Sequence, residues 1–591
     1  HLYGESPPEF QLILALTRTL PAGEVVGFVG HYGSHVWLGI PYAEPPVGER
    51  RWRAPRPAPS SVGTRQALAF GPVCPQYTSR LAGVEGAPGT MVGQEDCLYL
   101  NVYAPRFLPS SVPQGSARLP VMLWIHGGGN VIGHAGVYDG GNLAVSRNVV
   151  VVTINYRLGP LGWFRHASLR QQGAPPEDQS GNFGTLDMVL ALEWVRDNIS
   201  AFGGDPGKVT IFGESAGGRN VLSLIQSPRA AGLFHRAISQ SGGLRSTTTA
   251  DAEHFIDDAE PGHRFSSNEV LLRLVGGAGK DRAAAKTRLA TMTPEETARY
   301  LRSRDAFALL AIYGIDPNVG LISVPQVFAD GSVLPSEDPL ATFARPGAHN
   351  VVPVMIGTNR DENKLFLFGD SRHVRRLFWI IPRLRHPDRF QVLAEYVSAM
   401  WKAAGADEPA AALQRGGTPG VFVYRFDWDE EPTMLGADLG KMLGAAHTFE
   451  IPFVFRHFDL SREANVIFTK GNEPGRVELS EKMMSYWAEF AYSGTPGRGR
   501  DCDLPEWTAG PKFMILGTEA GGGLRMSGDT LTEEAVLERV DRDPRLHDQR
   551  ARCAVYHDVL WMAHRHGRRD YPELGRDGCR EFPFDDYPWE S

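Results

Sequence analysis

"FGESAGGRN" occupies residues 212–220, directly after the apolar run "KVTIF" (208–212). A serine set among glycine and alanine at the end of a strand-like run is a hydroxyl carried into a cramped turn, because only small residues tolerate backbone passing that close. Gly213-Glu214-Ser215-Ala216-Gly217 matches G-x-S-x-G, a weak signal by itself in a chain with 66 glycines. Its setting strengthens it: the match follows a strand and precedes a helix-forming run, as a nucleophile elbow requires. The bland alternative is a glycine-rich strand-to-helix turn without chemistry.

On either side of this turn, short β-branched runs alternate with amphipathic stretches. "PVMLWIH" (120–126), "NVVVVTIN" (148–155), "KVTIFG" (208–213), "HRAISQS" (235–241), "VVPVMIG" (351–357) and "VFVYRFD" (421–427) read as strands. Between two of them, Met188, Leu192, Val195 and Ile199 recur at helical spacing and predict one apolar stripe. Continuous apolar strands separated by helices imply an α/β fold with a mostly parallel central sheet covered on both faces. Residues 244–350 read as a helix-rich, polar insertion, and residues 516–591 as a C-terminal extension packed on a main domain of residues 1–515. Residues 372–389, Arg-rich around "LFWII", read as a solvated surface helix with one buried face, the alternative being a lid or interfacial patch.

The bulk properties narrow the function classes. With 591 residues, 42% of them hydrophobic, the chain has material for a large core, and a net charge of -8 gives no reason to expect nucleic acid or an acidic membrane surface as main partner. No apolar stretch approaches the roughly 20 residues of a membrane span. The start at His1, without methionine or an apolar signal core, fits a processed, secreted or periplasmic protein and equally a chain trimmed at its start. Five cysteines show no CxxC pairs and no zinc-like spacing. Cys74 and Cys97 are the favoured disulfide pair, while the pairing of Cys502, Cys553 and Cys579 stays open.

A serine hydroxyl is a poor nucleophile at neutral pH, so Ser215 needs a base, the base an orienting carboxylate, and the tetrahedral intermediate a set of donors. "WIHGGGN" (124–130) supplies the donors: glycines at the end of a strong strand let backbone N–H groups point into a cavity.

Together "WLGIPYAEPPVGERRW" (37–52), "EDCLYLNVYAP" (95–105), "HGGGN", "INYRLGPLGWF", "GNFGTLDMVLALEWVRDNISAFGGDP" and "GESAGG", in this order, resemble the type B carboxylesterase and cholinesterase-like family of α/β-hydrolases from about residue 25 to about residue 515. The resemblance implies an α/β-hydrolase fold with large helical insertions. It also implies a serine carboxylesterase acting through an acyl-enzyme. In that family the acid is a glutamate in a "DEG" signature and the base a histidine in "H-G-x-E". The matching stretches here, "IGTNRDENKLF" and "GAAHTFEIPFVF", point to Glu362 and His447, with Asp361 as the rival acid. Asn363 and Thr448 stand where the family has glycine. The oxyanion donors implied are the N–H groups of Gly128, Gly129 and Ala216.

By motif position Asn130, Glu214, Leu365 and Phe366 border the substrate, which suggests a roomy apolar site for a general carboxylic ester. No tryptophan lies between Cys74 and Cys97, where cholinesterases keep one for the quaternary ammonium, so choline esters are disfavoured. No evident hydrophobic surface run suggests an interfacial lipase. The chemistry calls for no metal, nucleotide or redox cofactor, and the partner is a small-molecule ester. Because the base must be neutral, activity should fall as pH drops through roughly 6 to 7. Two other readings share this sequence: an amidase or peptidase on the same triad, and a neuroligin-like binding protein without catalysis.

Overall fold

A computed structural model describes residues 14–276, 281–316 and 319–586. The chain divides into two compact units, one of His1–Arg236, Arg245–Thr342 and Gly347–Asn350, the other of Ala237–Leu244, Phe343–Pro346 and Val351–Ser591.

The first unit is built on strands β1 (Phe28–Val29), β2 (His35–Pro41), β3 (Tyr99–Ala104), β4 (Leu119–Ile125), β5 (Val150–Ile154) and β6 (Gly204–Glu214). They lie in the order β6-β4-β5-β3-β2-β1. β4 pairs in parallel with both β5 and β6, while β3 meets β5 and β2 antiparallel. Val150, Val151, Val152 and Ile154 have no exposed surface, the signature of a strand covered on both faces. Helix α1 (Phe183–Asn198) falls between β5 and β6, and α2 (Ala216–Gln226) leaves β6 at the serine. The predicted stripe Met188, Leu192 and Val195 is fully buried, but so is most of the rest of α1. Over residues 244–350 short helices contribute Val270, Leu271, Leu301 and Leu309, and the turn after the last of them Tyr313, to one apolar cluster with Trp52, Leu161 and Phe164.

The second unit carries β7 (Arg236–Gln240, from Ala237 on), β8 (Val354–Asn359), β9 (Val421–Phe426), β10 (Phe513–Leu516) and β11 (Arg525–Ser527), paired in that order. All pairings are parallel except the antiparallel β10–β11 pair. Its longer helices are α3 (Pro387–Lys402), α4 (Glu473–Ser493), α5 (Glu533–Arg542) and α6 (Gln549–Val559). Leu393 and Met400 of α3 share a buried cluster with Val536 and Val540 of α5 and Val559 of α6.

Cys74 is disulfide-bonded to Cys97 and Cys553 to Cys579, leaving Cys502 exposed and free. The folded protein should therefore react with one equivalent of a colorimetric thiol reagent, and the reduced, unfolded protein with five. No helix among the described residues is long and apolar enough to cross a membrane.

The expectation of a helix over 372–389 is corrected. Val374–Leu377 and Ile381–Leu384 form an antiparallel hairpin, and Phe378, Trp379 and Ile380 at its turn are 83%, 93% and 65% exposed. Val374 and Ile381 favour strand, and Pro382 removes a donor that a helix would need. The exposed tip agrees with the alternative weighed for this stretch, a hydrophobic surface patch, rather than with a helix burying one face.

Candidate active site

In the first unit the register of β6 on β4 pairs Phe212 with Trp124 and Gly213 with Ile125. The segments that follow, Glu214-Ser215 and His126-Gly127, therefore leave the carboxyl ends of adjacent parallel strands together, where α/β sheets place their ligands. A Cβ on Gly127 would lie 3.1 Å from that of Ser215 and 3.0 Å from Oε2 of the buried Glu214. Ser215 adopts φ 58° and ψ -120°, a strained backbone conformation, and α2 begins at the next residue. The turn is possible because Gly217 has no side chain: a Cβ there would be 1.9 Å from the Ile125 carbonyl oxygen. This close approach is the reason for the small residues around the serine.

The glycine loop is held by buried polar groups. Gly128 and Gly129 have φ of 100° and 64°. Tyr156 Oη donates to the His126 carbonyl at 2.7 Å, and its ring stacks on the His126 imidazole with centroids 4.5 Å apart. Burial pushes that imidazole down to about 3, so it is neutral at physiological pH. Gln326 Nε2 donates to the Gly129 carbonyl at 3.0 Å and Gln326 Oε1 accepts from Asn130 Nδ2 at 2.7 Å. Asn130 and Asn220 exchange amide hydrogen bonds of 3.2 and 2.8 Å. Asn130 was expected at the pocket wall; it has no exposed surface and φ 62°, and its side chain is spent on this loop.

In the second unit Glu362 follows β8 and has no exposed surface. Its Oε1 accepts the Asn359 N–H at 2.8 Å and its Oε2 accepts from His447 Nδ1 at 2.6 Å. The two loops are sewn together by Asp361 N–H to Ala445 O at 3.0 Å. Asp361, the rival acid, is instead paired with Arg360 at 2.8 Å and Lys364 at 3.2 Å. Asn359 Nδ2 reaches Ala446 O at 2.8 Å and Glu450 Oε2 at 2.7 Å. Burial, reinforced by the charge of Glu362, pushes the Glu450 carboxyl up to about 7. The His447 ring lies 4.6 Å from that of Trp401 and 5.4 Å from that of Phe366, and Trp401 Nε1 is anchored on the Gly242 carbonyl at 2.8 Å. Phe366 is 38% exposed and Leu365 half-buried.

Both departures from the family pattern are visible. Asn363 sits at φ -71°, where any residue is comfortable. Thr448 sits at φ 75°, which costs a β-branched residue about 1–2 kcal/mol. Allowing for the chain entropy glycine gives up, Thr448→Gly should raise unfolding stability by about 1 kcal/mol, read from denaturant titration.

Glu431, close behind β9, is 7% exposed, and neither carboxyl oxygen takes a hydrogen bond from another described residue. Burial first, then the charges of Asp429 and Asp361, push its carboxyl up to about 9. The unfolded chain ionises this group near its ordinary value of about 4.3. Between there and pH 9 the folded state alone keeps the proton, so stability falls as pH rises through that window. Glu431→Gln should remove this loss. The gain in melting temperature over the parent should be near zero at pH 4.5 and grow to pH 9, where it corresponds to a few kcal/mol, at about 1.4 kcal/mol for each tenfold change in proton affinity.

Tyr156, Asn220, Gln326, Asn359 and Trp401 escaped sequence reasoning. Tyr156 lay inside "INYRLGPLGWF", Asn220 at the end of "FGESAGGRN" and Asn359 inside "IGTNRDENKLF", but nothing in those motifs singled them out, and Gln326 and Trp401 are single residues without local signal.

A family model described as "Carboxylesterase family" matches residues 15–378 and 381–520. The chain is 35% identical over 498 residues to a para-nitrobenzyl esterase of Bacillus subtilis (strain 168), covering 81% of this chain and 90% of that protein. It is 33% identical over 516 residues to a cocaine esterase of Homo sapiens, covering 83% and 85%. A solved structure of a PNB esterase superposes with a TM-score of 0.64 at 32% identity, covering 87% of this chain and 97% of that one.

Proposed function

The chain belongs to the carboxylesterase family and is a carboxylic-ester hydrolase of the α/β-hydrolase fold, and on that premise we propose that it works through Ser215, His447 and Glu362 with an acyl-enzyme intermediate. The observation that carries the reading is the 2.6 Å contact of His447 Nδ1 with Glu362 Oε2. With Nδ1–H donated to the carboxylate, the imidazole lone pair is left on Nε2, the tautomer a general base requires. His447 takes the Ser215 proton, Oγ attacks the ester carbonyl, and the N–H groups of Gly128, Gly129 and Ala216 meet the oxyanion. The imidazolium is then countered by Glu362 and faced by the Trp401 ring. Its proton leaves with the alcohol, and water attacks the acyl-serine by the same route.

Phe366, apolar and accessible beside His447, supports a general, fairly apolar ester as substrate. Two disulfides support export to an oxidising compartment. The test is labelling by a fluorophosphonate followed by peptide mapping, alongside hydrolysis of matched chromogenic esters and amides. A single adduct on Ser215 with ester turnover is the expected result. Turnover with no adduct on Ser215 would overturn the proposal, and faster amide cleavage would replace the esterase reading by an amidase.

A further inference from the structure

The hairpin of Val374–Leu377 and Ile381–Leu384 takes no part in the chemistry above, and its turn breaks the local rules for turns. Phe378 and Trp379 have φ of 49° and 67°, and the Ile380 N–H closes onto the Leu377 carbonyl at 3.1 Å. Two successive positive φ values closed in this way are what an Asn-Gly turn adopts without strain, here with Ile380 as an extra residue before the Leu377–Ile381 pair. In bulky aromatic residues it costs about 1–2 kcal/mol each. The strained residues are also the accessible ones: Phe378, Trp379 and Ile380 project, and Leu377 beside them is 37% exposed. A local conflict of this kind, with no packing in return, marks a surface kept for something outside the chain.

The charge around the tip says what that is. Between Ser371 and Pro387 there are five arginines and no Asp or Glu, in a chain whose net charge is -8, although Arg372 is spent on Asp370 at 2.8 Å. Arg375 and Arg376 are exposed on the strand leading into the turn, and Arg385 flanks the other strand. The base is rigid: Val374 is buried in the cluster that includes Leu367, with Phe368 and Leu384 packed against it. Arg376 lies 5.1 Å over the Phe368 ring, and Arg383 donates to the carbonyl of Leu435, itself 71% exposed, at 2.8 Å.

An apolar aromatic tip ringed by arginines is complementary to an anionic lipid surface, where aromatic rings settle at headgroup level and guanidinium groups meet phosphates. We propose that this hairpin anchors the protein on anionic lipid surfaces, with Leu377, Phe378, Trp379 and Ile380 inserted and Arg375 and Arg376 on the headgroups. The hairpin base packs against Leu367 and Phe368 of the helix Lys364–Gly369, which also carries Phe366 beside His447.

The test is sedimentation of the whole protein with vesicles of phosphatidylcholine alone and of phosphatidylcholine with phosphatidylglycerol. The parent should bind the anionic vesicles, less so as salt is raised. Arg375→Glu with Arg376→Glu should weaken binding by about fivefold or more per charge changed. Phe378→Asn with Trp379→Gly, which installs the relaxed turn, should weaken binding by roughly tenfold or more while leaving stability equal or higher and hydrolysis of a water-soluble ester unchanged. The proposal is overturned if the parent binds neither vesicle, or if the Asn-Gly variant binds as the parent does. It is also overturned if the tip drives self-association that this variant abolishes without any vesicle binding.

Discussion

Ser215→Ala should leave a folded protein whose ester turnover is lower by about 10⁵–10⁶, the scale seen when a serine hydrolase loses its nucleophile. The loss is that large because the variant lacks the atom that forms the covalent bond, and none of the surrounding groups substitutes for it. The fold should persist, since the residue removed is not what holds the elbow. That work is done by the Gly213–Ile125 register and by the close approach of Gly217 to the Ile125 carbonyl. Alanine inherits the φ of 58°, so the melting temperature should stay within a few degrees of the parent. The checks are steady-state hydrolysis of a chromogenic ester and thermal unfolding on the same preparation. Turnover within tenfold of the parent would remove Ser215 from the mechanism.

Glu362→Gln should lower kcat by about 10⁴, the scale at which an amide in place of the orienting carboxylate disables such a base. The side chain keeps its size and still offers one oxygen to the Asn359 N–H, which Glu362 Oε1 accepts at 2.8 Å. What changes is the partner of His447 Nδ1. An amide NH2 there favours the tautomer with the lone pair on Nδ1 and the proton on Nε2, the wrong nitrogen for accepting from serine. It also withdraws the negative charge that stabilises the imidazolium. Because acylation and deacylation use the same base and slow together, the loss should fall on kcat with KM little changed. A structural effect alone would show as a lower melting temperature with kcat little changed. A kcat within tenfold of the parent would return the acid to another residue.

Local signals carried the chemistry-bearing positions. Glycines around Ser215, the "HGGGN" loop and the apolar runs that became β4, β5, β6, β8 and β9 are each legible within a few residues, because strand burial and a sharp turn restrict residue type at the spot itself. Glu362 and His447 were legible only through family resemblance, since nothing in a lone Glu or His distinguishes a hydrogen-bonded pair from solvated side chains. Their 2.6 Å contact joins positions 85 residues apart.

Residue order alone thus dictates the strand-and-helix alternation and the elbow, and with the family resemblance it nominates the reacting groups of the proposed mechanism. Folding in three dimensions settled the remainder. Asn130 turned from pocket wall to loop brace once Gln326, far along the chain, was folded against it. Thr448 bears a left-handed backbone where glycine was expected, because the loop around His447 is set by its hydrogen bonds to the loop after β8. Residues 374–384 became a hairpin with an aromatic turn, although their neighbours in sequence read equally well as a helix. For Asn130 and Thr448 the deciding contacts are non-local, and a short window of residues carries no information about the energy of a partner that folding has yet to bring near; the hairpin pairs locally, but its buried base at Val374 packs in a cluster drawn from residues far along the chain.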